Sequence, residues 1–339
     1  MVKKNIVVPS SIPEMLSVQR WQSMPVPARP LSDVTVESCG KVIMTGEHAV
    51  MYGAKAVAAA LVDKRMFVSV SFHDDIDSGV KVFLFEKDFT AECVSTIHKA
   101  LELLRIKVER GMSVHIQSHI PLGAGLGASA ALCVGVIRAL AACYDITLSS
   151  ERLMGLANIL EERFHGSPSG LDVAAVCLFS VAPLISFAKR EGKPHYVTLP
   201  SPRCFHFWLV DSTLRSSTKA MVERSGGYFS SSQCAQRVAA FDDCHDLFVK
   251  ACRLQDHNLL AQSMTRSAEL LSAIDVVGAR LSQMMEKLLD LGVLAAKPTG
   301  SGGAGYVLVL LPSDPQQRQS VCEHIESHYP QSAHMELVI

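Results

Sequence analysis

Apolar and polar positions along the chain change period several times, and each change marks an element. Val34-Thr-Val-Glu-Ser-Cys39 alternates and runs into Gly40, which predicts a short strand. Further strands are predicted over Ala56–Leu61, Met66–Phe72 and Val80–Phe85. In the second of these, Phe67, Ser69 and Ser71 alternate with Val68 and Val70. Ala91–Arg105 places Cys93, Ile97, Leu101 and Leu104 at helical spacing, and Met112–Ile120 returns to a period of two. A glycine-rich loop follows, then a long apolar helix from Ser129 and another over Leu153–Arg163, which ends before the turn Gly166–Gly170.

Beyond about Pro202 the texture becomes helical. One strand, Phe205–Val210, precedes predicted helices over Ser217–Arg224, Ser232–Leu254, Asn258–Ala273 and Asp275–Leu291. A second glycine-rich loop, the strand Tyr306–Leu311 and a helix over Asp314–His328 close the chain. Strands and helices mix without strict alternation, so the pattern predicts α+β rather than a doubly wound sheet. The expected division is an extended lead-in at 1–30, a first domain at 31–200 and a second at 201–339. The lead-in shows no sustained period and carries Pro9, Pro13, Pro25, Pro27 and Pro30.

Composition narrows the function classes. The 339 residues fit about two domains, and 48% apolar with 19% charged residues gives a well-cored globular protein. Lys+Arg 32 against Asp+Glu 33 leaves no broad cationic field, which excludes a nucleic-acid partner held by charge. The ten cysteines form no C-x-x-C pair and sit mostly in apolar runs, as expected of reduced, buried thiols. No apolar run reaches membrane-spanning length, so no membrane partner is expected. The first ten residues lack the apolar core of a secretory signal, and a cytoplasmic location is expected.

Three motifs carry candidate chemistry. Ile120-Pro-Leu-Gly-Ala-Gly-Leu-Gly-Ala-Ser-Ala-Ala131 lies between a strand and a helix. Its alternate glycines let backbone amides turn inward as a nest, and the helix start adds unpaired N–H groups and a positive dipole end. That combination suits a polyphosphate, with Ser129 placed to offer a hydroxyl to a phosphate-bound Mg²⁺. The pattern is not a Walker A loop, which needs G-x-x-x-x-G-K-[ST]. Lys297-Pro-Thr-Gly-Ser-Gly-Gly-Ala-Gly305 does contain G-x-G-x-x-G, but it enters a strand instead of a helix, so the dinucleotide reading fails on context. This loop is expected to lie against the site and follow a helix. The third motif is Ser38-Cys-Gly-Lys-Val-Ile-Met-Thr-Gly-Glu-His-Ala-Val-Met-Tyr-Gly53. Its Lys41 stands in apolar company, either snorkelling to the surface or directed into a site.

Taken together and in this order, the three segments resemble the GHMP kinase superfamily of small-molecule kinases. The form G-K-x-x-x-x-G-E-H-A-V-x-x-G is similar to that of its mevalonate kinase family. Glu161-Glu-Arg-Phe-His-Gly-Ser-Pro-Ser-Gly-Leu-Asp172 resembles that family's acidic segment ending in P-S-G-x-D. The resemblance spans about Val34 to Leu311. It implies a ribosomal-protein-S5-like first domain beside a ferredoxin-like second domain, with the site in the cleft between them. It also implies ATP and Mg²⁺ as cofactors and mevalonate as the small-molecule partner, and it is compatible with a homodimer. Residue by residue, it makes Asp172 the catalytic base with Lys41 beside it. Pro121, Gly123, Ala124, Gly125, Leu126, Gly127, Ala128 and Ser129 form the ATP loop, and Ser129 with Glu161 bind the metal. Glu47, His48, Thr218 and Ser301 fall on the substrate side. Two positions depart from the family pattern: Ala128 stands where a second serine is common, and Ala304 replaces a glycine. The competing expectations are galactokinase, phosphomevalonate kinase, or a silent ligand sensor on the same fold. Ala49-Val50 after Glu47-His48 argues against galactokinase, which prefers T-D there.

Overall fold

The computed structural model describes residues 32–75, 79–84, 90–190, 192–215, 218–230 and 232–339. The expected lead-in at 1–30 lies outside the described residues. The α+β expectation holds. The first six strands make one sheet and the last four another.

The spine of the first sheet is one long strand. β1 (Val34–Thr45) runs antiparallel along most of β2 (Ala56–His73). The sequence pattern splits β2 in two at the polar stretch Asp63-Lys64-Arg65. The chain instead stays extended and absorbs the extra residues as an irregularity: Cys39 faces Arg65 while Gly40 faces Leu61. Beside β2 lie β4 (Gly111–Ser118), itself parallel to β3 (Val80–Leu84), and β5 (Leu184–Arg190), which turns back as β6 (Lys193–Thr198). The β5–β6 hairpin was not legible as a period. In β5 the adjacent Leu184 and Ile185 are both buried with Phe187, so burial does not follow a clean period of two.

Helices α1 (Thr90–Leu104), α2 (Ala128–Cys143), α3 (Ser150–His165) and α4 (Leu171–Leu178) complete the first half. Twelve residues of α2 are buried, on every face, including Ala130, Cys133, Val134 and Ile137. A helix apolar all round belongs inside a layer stack, and α2 packs on β1, β2, α1, α3 and α4. Ser149 caps α3, its hydroxyl accepting from the Arg152 N–H.

The second sheet is antiparallel in the order β10, β7, β9, β8, with β7 (His206–Asp211), β8 (Ala295–Pro298), β9 (Tyr306–Leu310) and β10 (His334–Val338). Helices α5 (Thr218–Phe229), α6 (Cys234–Leu254), α7 (His257–Ala273), α8 (Ala279–Asp290) and α9 (Pro315–His328) accompany it. The helix expected from Asp275 begins four residues later. Asp275 holds a φ of 64°, outside the right-handed helix, and Gly278 is the cap. The second glycine loop therefore follows a strand, β8, rather than a helix directly; four buried residues are too few to show a period. No helix among the described residues is long and apolar enough to cross a membrane.

The two sheets meet where β1 ends and β8 ends. The Thr299 hydroxyl accepts from the Ile43 N–H and donates to the Ile43 carbonyl, each at 3.1 Å. Beneath this, the Lys297 ammonium forms an ion pair with the Glu47 carboxylate, both side chains fully enclosed. Lys297 also donates to the carbonyls of Pro298 at 2.8 Å and Ile43 at 3.4 Å. Burial pushes the Glu47 carboxyl up, and Lys297 is the first charge that pulls it back.

Removing one partner of a buried pair leaves an uncompensated charge, at a cost of about 3–5 kcal/mol. Lys297→Met should therefore lower the urea midpoint by that equivalent, while Lys297→Met with Glu47→Leu should recover much of the loss. A double variant as unstable as the single one would show that the pair is not the source of the effect.

Candidate active site

Lys41 lies in β1, and its backbone N–H donates to the Leu126 carbonyl at 2.9 Å, tying the strand to the first glycine loop. Its side chain does not snorkel. At 2% exposure the ammonium sits 3.1 Å from Asp172 Oδ2 and donates to the Gly125 carbonyl, also at 3.1 Å. Asp172 occupies the first turn of α4, where the helix dipole favours a carboxylate, and keeps 29% of its side chain exposed. The pair thus has one enclosed cation and one carboxylate open to the cleft.

The loop Pro121–Gly127 wraps this lysine. Gly123, Gly125 and Gly127 all hold positive φ, and Gly127 caps α2. A Cβ at Gly127 would stand 2.7 Å from Lys41 Cγ, so this position needs glycine for space as well as for its φ of 79°. The helix begins at Ala128, one residue earlier than expected, and the cap is a glycine backbone. The Ser129 hydroxyl is therefore not used in capping. It lies 3.1 Å from His165 Nε2, which in turn lies 3.2 Å from Glu161 Oε2. The other carboxylate oxygen of Glu161 accepts from the Cys133 thiol at 4.0 Å. Glu161 is 1% exposed while its neighbour Glu162 is exposed, so Glu161 is the one that turns inward. Burial, reinforced by the charge of Asp172, pushes the Glu161 carboxyl up to about 8, with Ser129 and Lys41 pulling it back.

A buried carboxyl short of positive charge, beside a hydroxyl, offers the hard oxygen donors that Mg²⁺ takes. Among the described residues no cluster of three or more His, Cys, Asp or Glu could hold a metal. Two protein oxygens suit Mg²⁺ nonetheless, since it commonly keeps waters and substrate phosphate oxygens as its other ligands.

The second glycine loop lies directly on the first. A Cβ at Gly300, whose φ is 77°, would stand 2.9 Å from Gly125 Cα and 3.0 Å from its carbonyl oxygen. Ser301, next in the chain, reaches the cleft wall, and its carbonyl accepts from His48 Nε2 at 2.9 Å. A carbonyl only accepts, so this contact places the ring proton on Nε2. Burial holds the His48 imidazole below its ordinary range, keeping it neutral. His48, Glu161, Asp172 and Ser301 line one cleft, with Met51 and Val222 as apolar wall. Glu47 does not open on it, because its carboxylate is spent on Lys297 in the seam. Thr218 opens α5, the helix that carries Val222, and its side chain lies outside the described residues.

Sequence reasoning missed two residues. His165 stood inside the quoted acidic segment, but nothing in its spacing marked it as a partner of Ser129. Lys297 opens the second glycine motif, where only the glycines carry a local signal.

The GHMP kinases N terminal domain matches residues 95–180, and the GHMP kinases C terminal domain matches residues 248–331. The chain belongs to the GHMP kinase family of ATP-dependent small-molecule kinases. More particularly, it is 30% identical over 311 residues to the mevalonate kinase of Thermococcus gammatolerans, covering 82% of this chain and 89% of that one. It is 29% identical over 313 residues to the mevalonate kinase of Pyrococcus abyssi, with the same coverage. The L. major mevalonate kinase solved with R-mevalonate shares the fold, with a TM-score of 0.79 at 23% identity over 91% of this chain and 98% of that one.

A group whose folded-state value is raised to about 8 from 4.5 keeps its proton in the folded chain while the unfolded chain releases it. Stability contributed by protonated Glu161 is therefore fully present below about pH 4.5 and lost as pH rises toward 8. In the absence of divalent metal, Glu161→Gln should remove a slope of up to about 1.4 kcal/mol per pH unit in that window. Denaturant titrations at pH 5, 6.5 and 8 check it; parallel pH profiles for the two proteins would place the titrating group elsewhere.

Proposed function

We propose that the chain transfers the γ-phosphoryl group of ATP to the primary hydroxyl of mevalonate, with Mg²⁺ as the metal. The observation that carries this reading is the Lys41–Asp172 pair, 3.1 Å apart at the wall of the cleft. The substrate class follows the mevalonate kinases to which the chain is similar. The same proposal assigns residues 31–200 to the nucleotide and the candidate acid–base pair, and residues 201–339 to closing the cleft.

Phosphoryl transfer asks the protein mainly for positioning and charge compensation. Asp172, the exposed member of the pair, accepts the proton of the attacking hydroxyl. Lys41 pairs with that carboxylate and places its ammonium where charge builds on the transferring group. The loop Pro121–Gly127 holds the triphosphate on backbone N–H groups, and the first turn of α2 adds its unpaired donors. Ser129 and Glu161 would hold Mg²⁺, which when bound neutralises phosphate charge. On the acceptor side, His48 and Ser301 form one wall and the α5 segment bearing Thr218 and Val222 the other. Met51 and Val222 exclude water from the aliphatic part of the substrate.

Assaying ADP release against mevalonate, phosphomevalonate, galactose and homoserine tests the substrate. A phosphorus NMR signal for a monoester on mevalonate is expected, and faster turnover of any other acceptor overturns the assignment. Asp172→Asn should bind both substrates nearly as the parent does while losing about 10²–10⁴-fold in kcat. His48→Leu should raise KM for mevalonate with little change in KM for ATP. An inverted pattern, with ATP the substrate affected, would put the Gly46-Glu47-His48 turn on the nucleotide side.

A further inference from the structure

His165 stands between the two side chains proposed to hold the metal and belongs to neither role assigned so far. Its Nε2 lies 3.1 Å from Ser129 Oγ and 3.2 Å from Glu161 Oε2. These oxygens come from different helices, Ser129 from the first turn of α2 and Glu161 from the last turns of α3. The imidazole is one turn beyond Glu161 on α3, so it reaches back along its own helix and across to the other.

The ring's other nitrogen decides its tautomer. Among the described residues the buried Nδ1 has no hydrogen-bond partner, whereas Nε2 faces two oxygens. An enclosed N–H without an acceptor is the costlier arrangement, so the single proton of the neutral ring belongs on Nε2. Nε2–H then donates to Glu161 Oε2, with the Ser129 oxygen beside the same hydrogen. The last side-chain contact in this group comes from Cys133, one turn along α2 from Ser129, at the opposite oxygen of Glu161.

We propose that His165 is a positioning residue for the metal site. Its Nε2–H fixes the Glu161 carboxylate and holds it in register with the Ser129 hydroxyl, so that two oxygens from separate helices present themselves to one cation. Carboxylates that bind metal are commonly oriented by such outer hydrogen bonds, and losing one typically weakens metal binding about 10–100-fold. The inference rests on the metal assignment to Ser129 and Glu161 under the proposed function.

The test reads binding rather than turnover. Mn²⁺ affinity in the presence of a non-hydrolysable ATP analogue is measured by electron paramagnetic resonance for the parent chain, His165→Leu, His165→Gln and Glu161→Gln. His165→Leu should weaken Mn²⁺ about 10–100-fold, and His165→Gln, whose side-chain amide can donate from nearly the same place, should recover most of it. Analogue binding without metal, followed by calorimetry, should stay within about twofold for both His165 variants. If Glu161→Gln loses Mn²⁺ and His165→Leu does not, the positioning role is overturned and the metal assignment stands. If Glu161→Gln itself binds Mn²⁺ normally, the metal assignment is wrong and the inference falls with it. Equal losses in His165→Leu and His165→Gln, with metal-free analogue binding weakened too, would reduce His165 to a packing role.

Discussion

The two halves of this chain are joined by an ion pair that water does not reach. Lys297 and Glu47 are both fully enclosed, one at the end of β8 and the other just past β1. A pair of this kind is a poor source of net stability but a strong source of register, because neither charge tolerates being left alone. Its position matters more than its strength. Glu47 precedes His48, and Lys297 precedes the Thr299–Gly305 loop by two residues, so the pair sets the height at which the two walls of the cleft face each other. The Thr299–Ile43 contacts repeat the constraint on the backbone. Lys41 sits two residues before Ile43 on the same strand, so its ammonium inherits that placement.

The site is also arranged by uneven access to water. Lys41 is enclosed and Asp172 is not, although they touch. The cation is thus undiluted by solvent where it meets the carboxylate, while the carboxylate remains reachable from the cleft. Glu161 is the reverse, a carboxyl so enclosed that it resists ionising unless a positive charge arrives. Two acidic side chains of one cleft thus differ sharply in their access to water.

Much of this was legible in the residues, and what was not has physical reasons. The alternate glycines at 123, 125 and 127 announced a backbone cradle because few other uses justify three positive-φ positions so close together. The alternation in β1 and the spacing in α1 announced their elements because each is long enough to show a period. β8 is too short for that, and β6 is exposed at nearly every position, so no alternation marks it. The family resemblance puts Glu47 on the substrate side. Its departure into the seam depends on Lys297, 250 residues away, which no local pattern can reveal. His165 was hidden for the same reason, its partner Ser129 lying on another helix.

The contact between the two glycine loops has a consequence of a different kind. Gly300 meets Gly125 through main-chain atoms, and Gly305 approaches the Ala124 carbonyl in the same way. Where two surfaces touch through side chains, a change on one usually calls for a compensating change on the other. Here the touching atoms are common to every amino acid, so shape complementarity is decoupled from residue identity, and only the absence of a Cβ has to be inherited. The residues interleaved between the glycines are then released to drift with the ligand they face. A scaffold joined in this fashion can diversify its recognition while its halves continue to close on one another unchanged.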